Sequence, residues 1–292
     1  MRVTNSMMLS TLLRNLNTNM EKMSKSQEQM SSGSRINRPS DDPVGIVDSL
    51  RLRTNLTELK QFKSNAEDAQ SWLDITDGAM DASGKLLDRV RYLTIQAATD
   101  LNPQLALDAI ATEISQLKEQ LVQVANTKYG DRYVFSGTMT QTASFDPNNL
   151  ALGYQGNNGQ INYEVGAGTQ IPINVDGTQA FGNVFNVLQT IWDDVNAGNT
   201  LNLSGTDLGL LNTEIDNQLK VRADIGARVN RLDLAINRMD SQDVNLTGLL
   251  SKTEDVDVAE LITKLKVQES VYNSSLAAGA RIVQPTLMDF LR

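Results

Sequence analysis

The 292-residue chain contains no cysteine and no histidine. Their absence removes thiol nucleophiles, Cys/His zinc sites, Ser–His–Asp triads and the side chain that ordinarily shuttles protons near neutrality. Disulfides are excluded as well, so cysteine usage is compatible with export but does not fix the compartment. Aromatic residues are only 5% of the chain, a thin supply for an enzyme core of this size. Basic residues are outnumbered, 26 Lys and Arg against 35 Asp and Glu, for a net charge of −9. Phosphate neutralisation needs a basic surface, so no nucleic-acid partner is expected. No apolar run approaches the roughly 20 residues that cross a bilayer, so no membrane partner is expected either. The opening "MRVTNSMMLSTLLRNLNTNM" alternates apolar and polar residues and never builds a secretory apolar segment. If the protein leaves the cell, the expectation is export without a cleaved signal peptide.

A further absence divides the sequence. Between Arg132 and Lys220 there is no Lys or Arg, whereas basic residues are scattered everywhere else. The same region, with Tyr129 just before it, holds Tyr133, Phe135, Phe145, Tyr154, Tyr163, Phe181, Phe185 and Trp192, most of the aromatics. "YVFSGT", "INYEV" and "IPINV" are rich in aromatic and β-branched residues, and "QGNNGQ" and "VDGT" read as strand turns. The reading is a small β insertion over roughly 140–180, followed by a short helix near Val184–Val195.

What the flanks do have is a seven-residue rhythm. Leu9, Leu16, Met23 and Met30 recur at that spacing, joined by Leu13 and Met20. The repeat returns at Leu52, Leu59, Ala66, Leu73, Met80 and Leu87, with a companion line of Phe62, Ala69, Thr76, Ser83, Val90 and Ala97. A helix from Val44 to Thr99 would be about 84 Å long at 1.5 Å per residue, and "DLNP" at 100–103 ends it. Another helix follows through Ile110, Ile114, Leu117, Leu121 and Val124. After the insertion the rhythm resumes through Leu211, Ile215, Ile225, Val229, Leu232, Ile236, Met239, Leu246 and Leu250, with Gln218, Arg222 and Asp243 as weak points. "SKTEDVD" precedes a last segment carrying Leu261, Leu265, Tyr272, Leu276, Val283, Leu287 and Leu291.

The layout is nested: mainly α with a β insertion, long antiparallel helices forming a coiled-coil-like rod, paired terminal helices and a small central β domain. The expected divisions are 1–43 with 254–292 as terminal helices joined to the rod by a linker, 44–139 with 200–253 as the rod, and 140–199 as a β-rich outer insertion. Residues 1–40 carry a charge of +4 and residues 254–292 carry −2, consistent with pairing of the two ends. Mutual pairing completed by neighbouring subunits is the preferred reading. The alternative is that each stripe folds back onto the rod of its own chain.

The candidates for chemistry are weak. Adjacent Asp41 and Asp42 in a helix would point about 100° apart; Asp42 before Pro43 reads instead as an N-cap followed by a proline at the first helical position. "GAGTQI" lacks the third glycine of a dinucleotide fingerprint and the helix that should follow it. "DPNNLALG" starts like a calcium loop but offers Leu150 where an oxygen is required. Asp193–Asp194 reads as a solvated helix end. Arg35 and Arg38 lack a glycine-rich cradle and are expected to pair with acidic neighbours or another subunit, and the heptad-spaced methionines read as adaptable packing. No catalytic residue, cofactor or metal is called for.

The interruption "SSGSRINRPSDDPVG" (31–45) resembles the signature near the N-terminus of the flagellin superfamily, as do the nested layout and "VRADIGARVNRLDLAINRM" (221–239) in the returning helix. Within the superfamily "PSDDP" and "YGDRYVFSGTMTQTASF" (129–145) are similar to the type that joins hook to filament rather than to filament flagellins, and "QPTLMDFLR" departs from the usual flagellin ending. The resemblance implies an exported structural protein that assembles at the distal end of the hook. Its implied partners are copies of itself, the first hook-associated protein, flagellin and an export chaperone. It places Leu9, Leu13, Leu16, Met20, Met23 and Met30, with Leu261, Leu265, Leu276, Val283 and Leu291, on subunit interfaces of an inner tube. Gly33, Arg35, Pro39, Asp41, Asp42 and Pro43 would form the linker and helix cap.

Overall fold

The computed structural model describes residues 5–99, 103–147 and 153–283, with only the backbone described at 5, 6 and 281–283. Leu291, Leu150, most of the "DLNP" break and the "QPTLMDFLR" ending lie outside the described residues. The chain forms two compact units, Met1–Glu58 with Gln242–Arg292 and Leu59–Ser241.

The first unit contains helix α1 (Asn5–Ser32), the start of α2 (Pro43–Ala97), the end of α7 (Leu208–Glu254) and α8 (Val258–Val283). α1 and α8 run antiparallel. Near their joined ends Ser34 bridges Asp255, and far from them a Cβ on Gly279 would lie 2.7 Å from Leu12 Cδ2. A side chain at that position would require Leu12 to shift.

The second unit contains the rest of α2, α3 (Gln104–Ala125), the middle segment and most of α7. The α2 repeat is its core: Leu59, Ala66, Leu73, Met80 and Leu87 are buried, and so are Ala69, Thr76, Ser83, Val90 and Ala97. Each fully buried Leu or Met removes enough apolar surface from water to contribute about 1.5–3 kcal/mol. α7 supplies Leu211, Ile225, Leu232 and Met239. Two of the three polar breaks in its line, Gln218 and Arg222, have partners on α2. Gln218 is buried against Ser83, with its Nε2 2.7 Å from Ser83 Oγ, and Arg222 reaches Asp77 at 3.1 Å and Asp81 at 2.9 Å. With Gln70–Asp233 at 2.9 Å and the Lys63–Asp240 ion pair, these links set an antiparallel register.

The middle segment has two antiparallel pairs, β1 (Lys128–Tyr129) with β2 (Arg132–Tyr133), and β3 (Asn162–Gly166) with β4 (Thr169–Pro172). Helices α4 (Gly177–Phe181), α5 (Val184–Ala197) and α6 (Thr200–Asn202) follow, and a π-helical turn, Leu203–Asp207, leads into α7. The aromatics cluster: Phe135 meets Phe181 edge-on at 5.0 Å, and Phe145 lies 4.7 Å from Phe185 and 5.8 Å from Tyr154. Burial pushes the Tyr154 hydroxyl up to about 12; it lies 2.9 Å from the carbonyls of Phe135 and Asn157.

The turn assignments need correction. The β3–β4 hairpin turns at Ala167–Gly168, inside the "GAGTQI" stretch. "VDGT" starts a helix, because Asp176 accepts from the backbone N–H groups of Thr178 and Gln179 at 3.0 and 2.9 Å. An Asx side chain serves a helix start as readily as a turn. "QGNNGQ" packs against the "FSGT" loop: Asn157 Oδ1 accepts from Thr138 N at 2.8 Å. Gly137, at φ +65°, is needed there because a Cβ would lie 1.8 Å from Asn157 O.

Candidate assembly interface

α1 ends where the sequence demands it. Gly33 takes φ +70°, the left-handed conformation that closes helices, and its N–H reaches Gln29 O at 3.0 Å. The Gln29 side chain then donates to Arg35 O at 2.7 Å. α2 starts at Pro43, whose missing N–H costs nothing at that position. Asp42 Oδ1 accepts from Gly45 N at 2.9 Å; this bond, and then Arg35 at 3.2 Å, hold its carboxyl below the usual range.

Asp41 does different work from its neighbour. It bonds Lys25 at 2.7 Å and accepts from Arg38 N at 3.0 Å and Asn37 N at 3.2 Å. The Lys25 ammonium, then the Arg38 N–H, keep its carboxyl below the usual range. The two aspartates therefore diverge, one fastening the linker to α1 and the other capping α2. Arg38 pairs with Glu28 through two bonds at 3.1 Å. Pro39 and Pro43 are exposed.

The segment after α7 closes the joint. Arg35 N donates to Glu254 O at 2.6 Å, Val256 N donates to Gly33 O at 3.1 Å, and Arg35 Nη2 donates to Thr253 O at 2.9 Å. The nearly buried Glu254 carboxylate receives Arg53 at 2.6 and 3.3 Å. Ile36 is buried in the linker, and a Cβ on Gly45 would lie 2.7 Å from its Cδ1. The linker is tied to both flanking chains rather than slack. Sequence reading found the aspartates and Gly33 but missed buried Ile36, and it missed Arg53 and Glu254, which pair across 201 residues.

The apolar residues of α1 divide between two faces. The less exposed face is Leu12, Leu16, Asn19, Met23 and Ser26, spaced four and three. On α8 the matching face is Leu261, Leu265, Gln268, Tyr272, Ser275 and Gly279, with the same spacing. Of the residues picked from sequence, Leu16, Met23, Leu261 and Leu265 lie on these faces. Leu9, Leu13, Met20, Met30 and Leu276 are exposed, Leu13 by 54%. Val283 is the last residue of α8, with only its backbone described. Exposed Met7, Met8, Val258, Ile262, Val267 and Val271 extend the uncovered apolar surface. Singly exposed apolar residues are ordinary, but a strip running along two adjacent helices is a candidate binding surface. No helix among the described residues is long and apolar enough to cross a membrane.

Known proteins share this arrangement. Residues 3–140 match the bacterial flagellin N-terminal helical region and residues 208–291 the bacterial flagellin C-terminal helical region. Flagellin of Bacillus subtilis (strain 168) is 28% identical over 294 residues, covering 97% of each chain. A flagellar hook-associated protein from Vibrio parahaemolyticus has TM-score 0.69 at 19% identity, covering 74% of this chain and 100% of that one. FlgL from Bacillus cereus has TM-score 0.61 at 23% identity, covering 69% of this chain and 99% of that one. With both helical regions matched and the helices folded as described, the chain belongs to the flagellin family and is a structural protein of the bacterial flagellum.

Proposed function

We propose that this protein forms the junction between hook and filament, assembling at the distal end of the hook. The observation that carries the reading is the "RYVFSGT" stretch, 132–138, which resembles the junction type. It is the hub of the middle segment. Val134 N donates to Thr127 O, Tyr133 N to Thr140 O, and Phe135 O accepts from Gly177 N at 2.8 Å. Solved hook-associated and FlgL chains with this fold, matched over nearly their full length, support it.

In this reading the uncovered strip of Leu9, Leu13, Met20, Met30 and Leu276 meets neighbouring copies in an inner tube. Val283 and Leu291 are assigned to the same interface, and the Gly33–Pro43 joint fixes how the tube helix leaves the rod. Terminal helices, rod and insertion keep the divisions 1–43 with 254–292, 44–139 with 200–253, and 140–199. Partners are the first hook-associated protein on the hook side, flagellin on the filament side and an export chaperone before secretion; the location is extracellular. A second reading, filament flagellin, is favoured by the near full-length match to the Bacillus subtilis flagellin.

Gene deletion separates the two. The junction reading expects intact hooks with filament protein shed into the medium. Loss of the filament polypeptide itself would establish the flagellin reading.

A further inference from the structure

With no cysteine in the chain, its only sulfur is the thioether of methionine. Five of the ten methionines sit on α1, at Met7, Met8, Met20, Met23 and Met30. Four of these face solvent, Met7 by 61%, Met8 by 44%, Met20 by 49% and Met30 by 40%, while Met23 lies on the covered face. In the second unit Met80 and Met239 are core residues of α2 and α7, with 0% and 2% exposed. Met139, in the middle segment, is exposed. Met1 and Met288 lie outside the described residues.

Exposure decides the chemistry of a thioether. Unlike a thiol it needs no ionisation to react, so access of the oxidant to sulfur governs which methionine is converted. A hydroperoxide transfers one oxygen atom: the S–O bond forms, the O–O bond breaks and the sulfur loses two electrons. With hydrogen peroxide the other oxygen leaves as water. The product is a polar side chain where a flexible apolar one had been. On a solvated helix face the change costs the monomer little. Against another apolar surface it buries a strong acceptor without a donor. Methionine suits such contacts because its unbranched side chain adapts to the partner, and Met20 and Met30 stand in the uncovered strip with Leu9 and Leu13.

We propose that Met20 and Met30 are peroxide-sensitive modification sites whose sulfoxidation blocks assembly without unfolding the chain. The inference rests on the reading that the strip meets neighbouring copies. Both sulfurs are open to oxidant in the free subunit and shielded once that contact forms, so the modification acts before incorporation. It is reversible, because methionine sulfoxide reductases remove the oxygen from either epimer.

The test treats dilute full-length monomer with hydrogen peroxide and follows each methionine by peptide mass spectrometry. Met20 and Met30 should gain oxygen at a dose that spares Met80 and Met239, with the Tm unchanged. In cells, Met20→Gln with Met30→Gln, an uncharged polar mimic of the two sulfoxides, should lower incorporation into flagella several-fold and shed the chain into the medium. Met20→Leu with Met30→Leu should preserve incorporation. Three results overturn the proposal. Oxidation of Met80 and Met239 in step with Met20 and Met30 would mean that the chain opens rather than presenting a selective surface. A Gln pair that melts well below the Leu pair would mean that folding, not assembly, is what polarity disturbs. Normal incorporation of the Gln pair removes the switch; if Leu13→Glu fails to incorporate, the strip still stands as an interface, and if Leu13→Glu also incorporates, the interface reading falls with it.

Discussion

Arg53 and Glu254 lie 201 residues apart in sequence, yet the Arg53 guanidinium grips the Glu254 carboxylate through two bonds at 2.6 and 3.3 Å. Glu254 is nearly buried and also gives its backbone carbonyl to Arg35 N at 2.6 Å. Removing Arg53 leaves a buried charge unpaired, which costs roughly 2–4 kcal/mol. Arg53→Ala should therefore lower the free energy of unfolding of the first unit by about that amount, and Arg53→Met/Glu254→Gln should recover part of it. Chemical denaturation followed by circular dichroism measures both.

Ser83 and Gln218 make a buried polar pair in the second unit, with Gln218 Nε2 2.7 Å from Ser83 Oγ. Ser83→Ala orphans the amide and should cost about 1–3 kcal/mol. Replacing both, Ser83→Ala with Gln218→Leu, should be close to neutral, since no buried polar group is then left without a partner. A double-mutant cycle in urea would give the coupling.

Acid should act in opposite directions on the two units. Asp41 and Asp42 have folded pKa values below 3.8. Their contribution is full above the unfolded value and is lost as pH falls through the folded ones. Burial first, and then Asp194, raise Asp207 to about 6 from 3.8. Its protonated form stabilises the second unit fully below 3.8, and that stability is lost as pH rises through about 6. The change is of the order of 3 kcal/mol. Asp207→Asn should flatten the stability of the second unit between pH 4 and 6.5 and leave the acid loss in the first unit unchanged.

The uncovered strip on α1 and α8 predicts a separation of folding from assembly. Leu13→Glu and Met20→Glu remove no packing from the less exposed face, so the melting of the monomer should shift by less than about 1 kcal/mol. Incorporation into flagella should fail. Leu16→Glu and Leu261→Glu lie on the covered faces and should damage the monomer as well.

The α2 core was legible because a 3.5-residue repeat survives in the burial itself, from Leu59 to Leu87 and from Ala69 to Ala97. The α7 repeat was legible apart from Gln218 and Arg222, whose reasons for being there sit on α2, and Asp243, whose buried Oδ1 has no hydrogen-bond partner. The middle segment was harder. Its strands are two to five residues long, too short for alternation to speak, and Asp176 caps a helix where a turn was expected. On α1 the picked set caught Leu16 and Met23 but took the exposed Leu13 and Met20 in place of their neighbours Leu12 and Asn19, because Asn19 and Ser26 occupy core-like positions and conceal the four–three spacing. Asp207 gave no signal at all; its burial depends on the π-helical turn, which sequence periodicity does not reveal.

The junction assignment is tested most directly by immunogold electron microscopy of intact flagella, using antibody raised against the exposed β3–β4 hairpin. The account predicts label confined to one short zone where the filament meets the hook. Gold distributed along the whole filament would contradict it and make the protein a filament subunit.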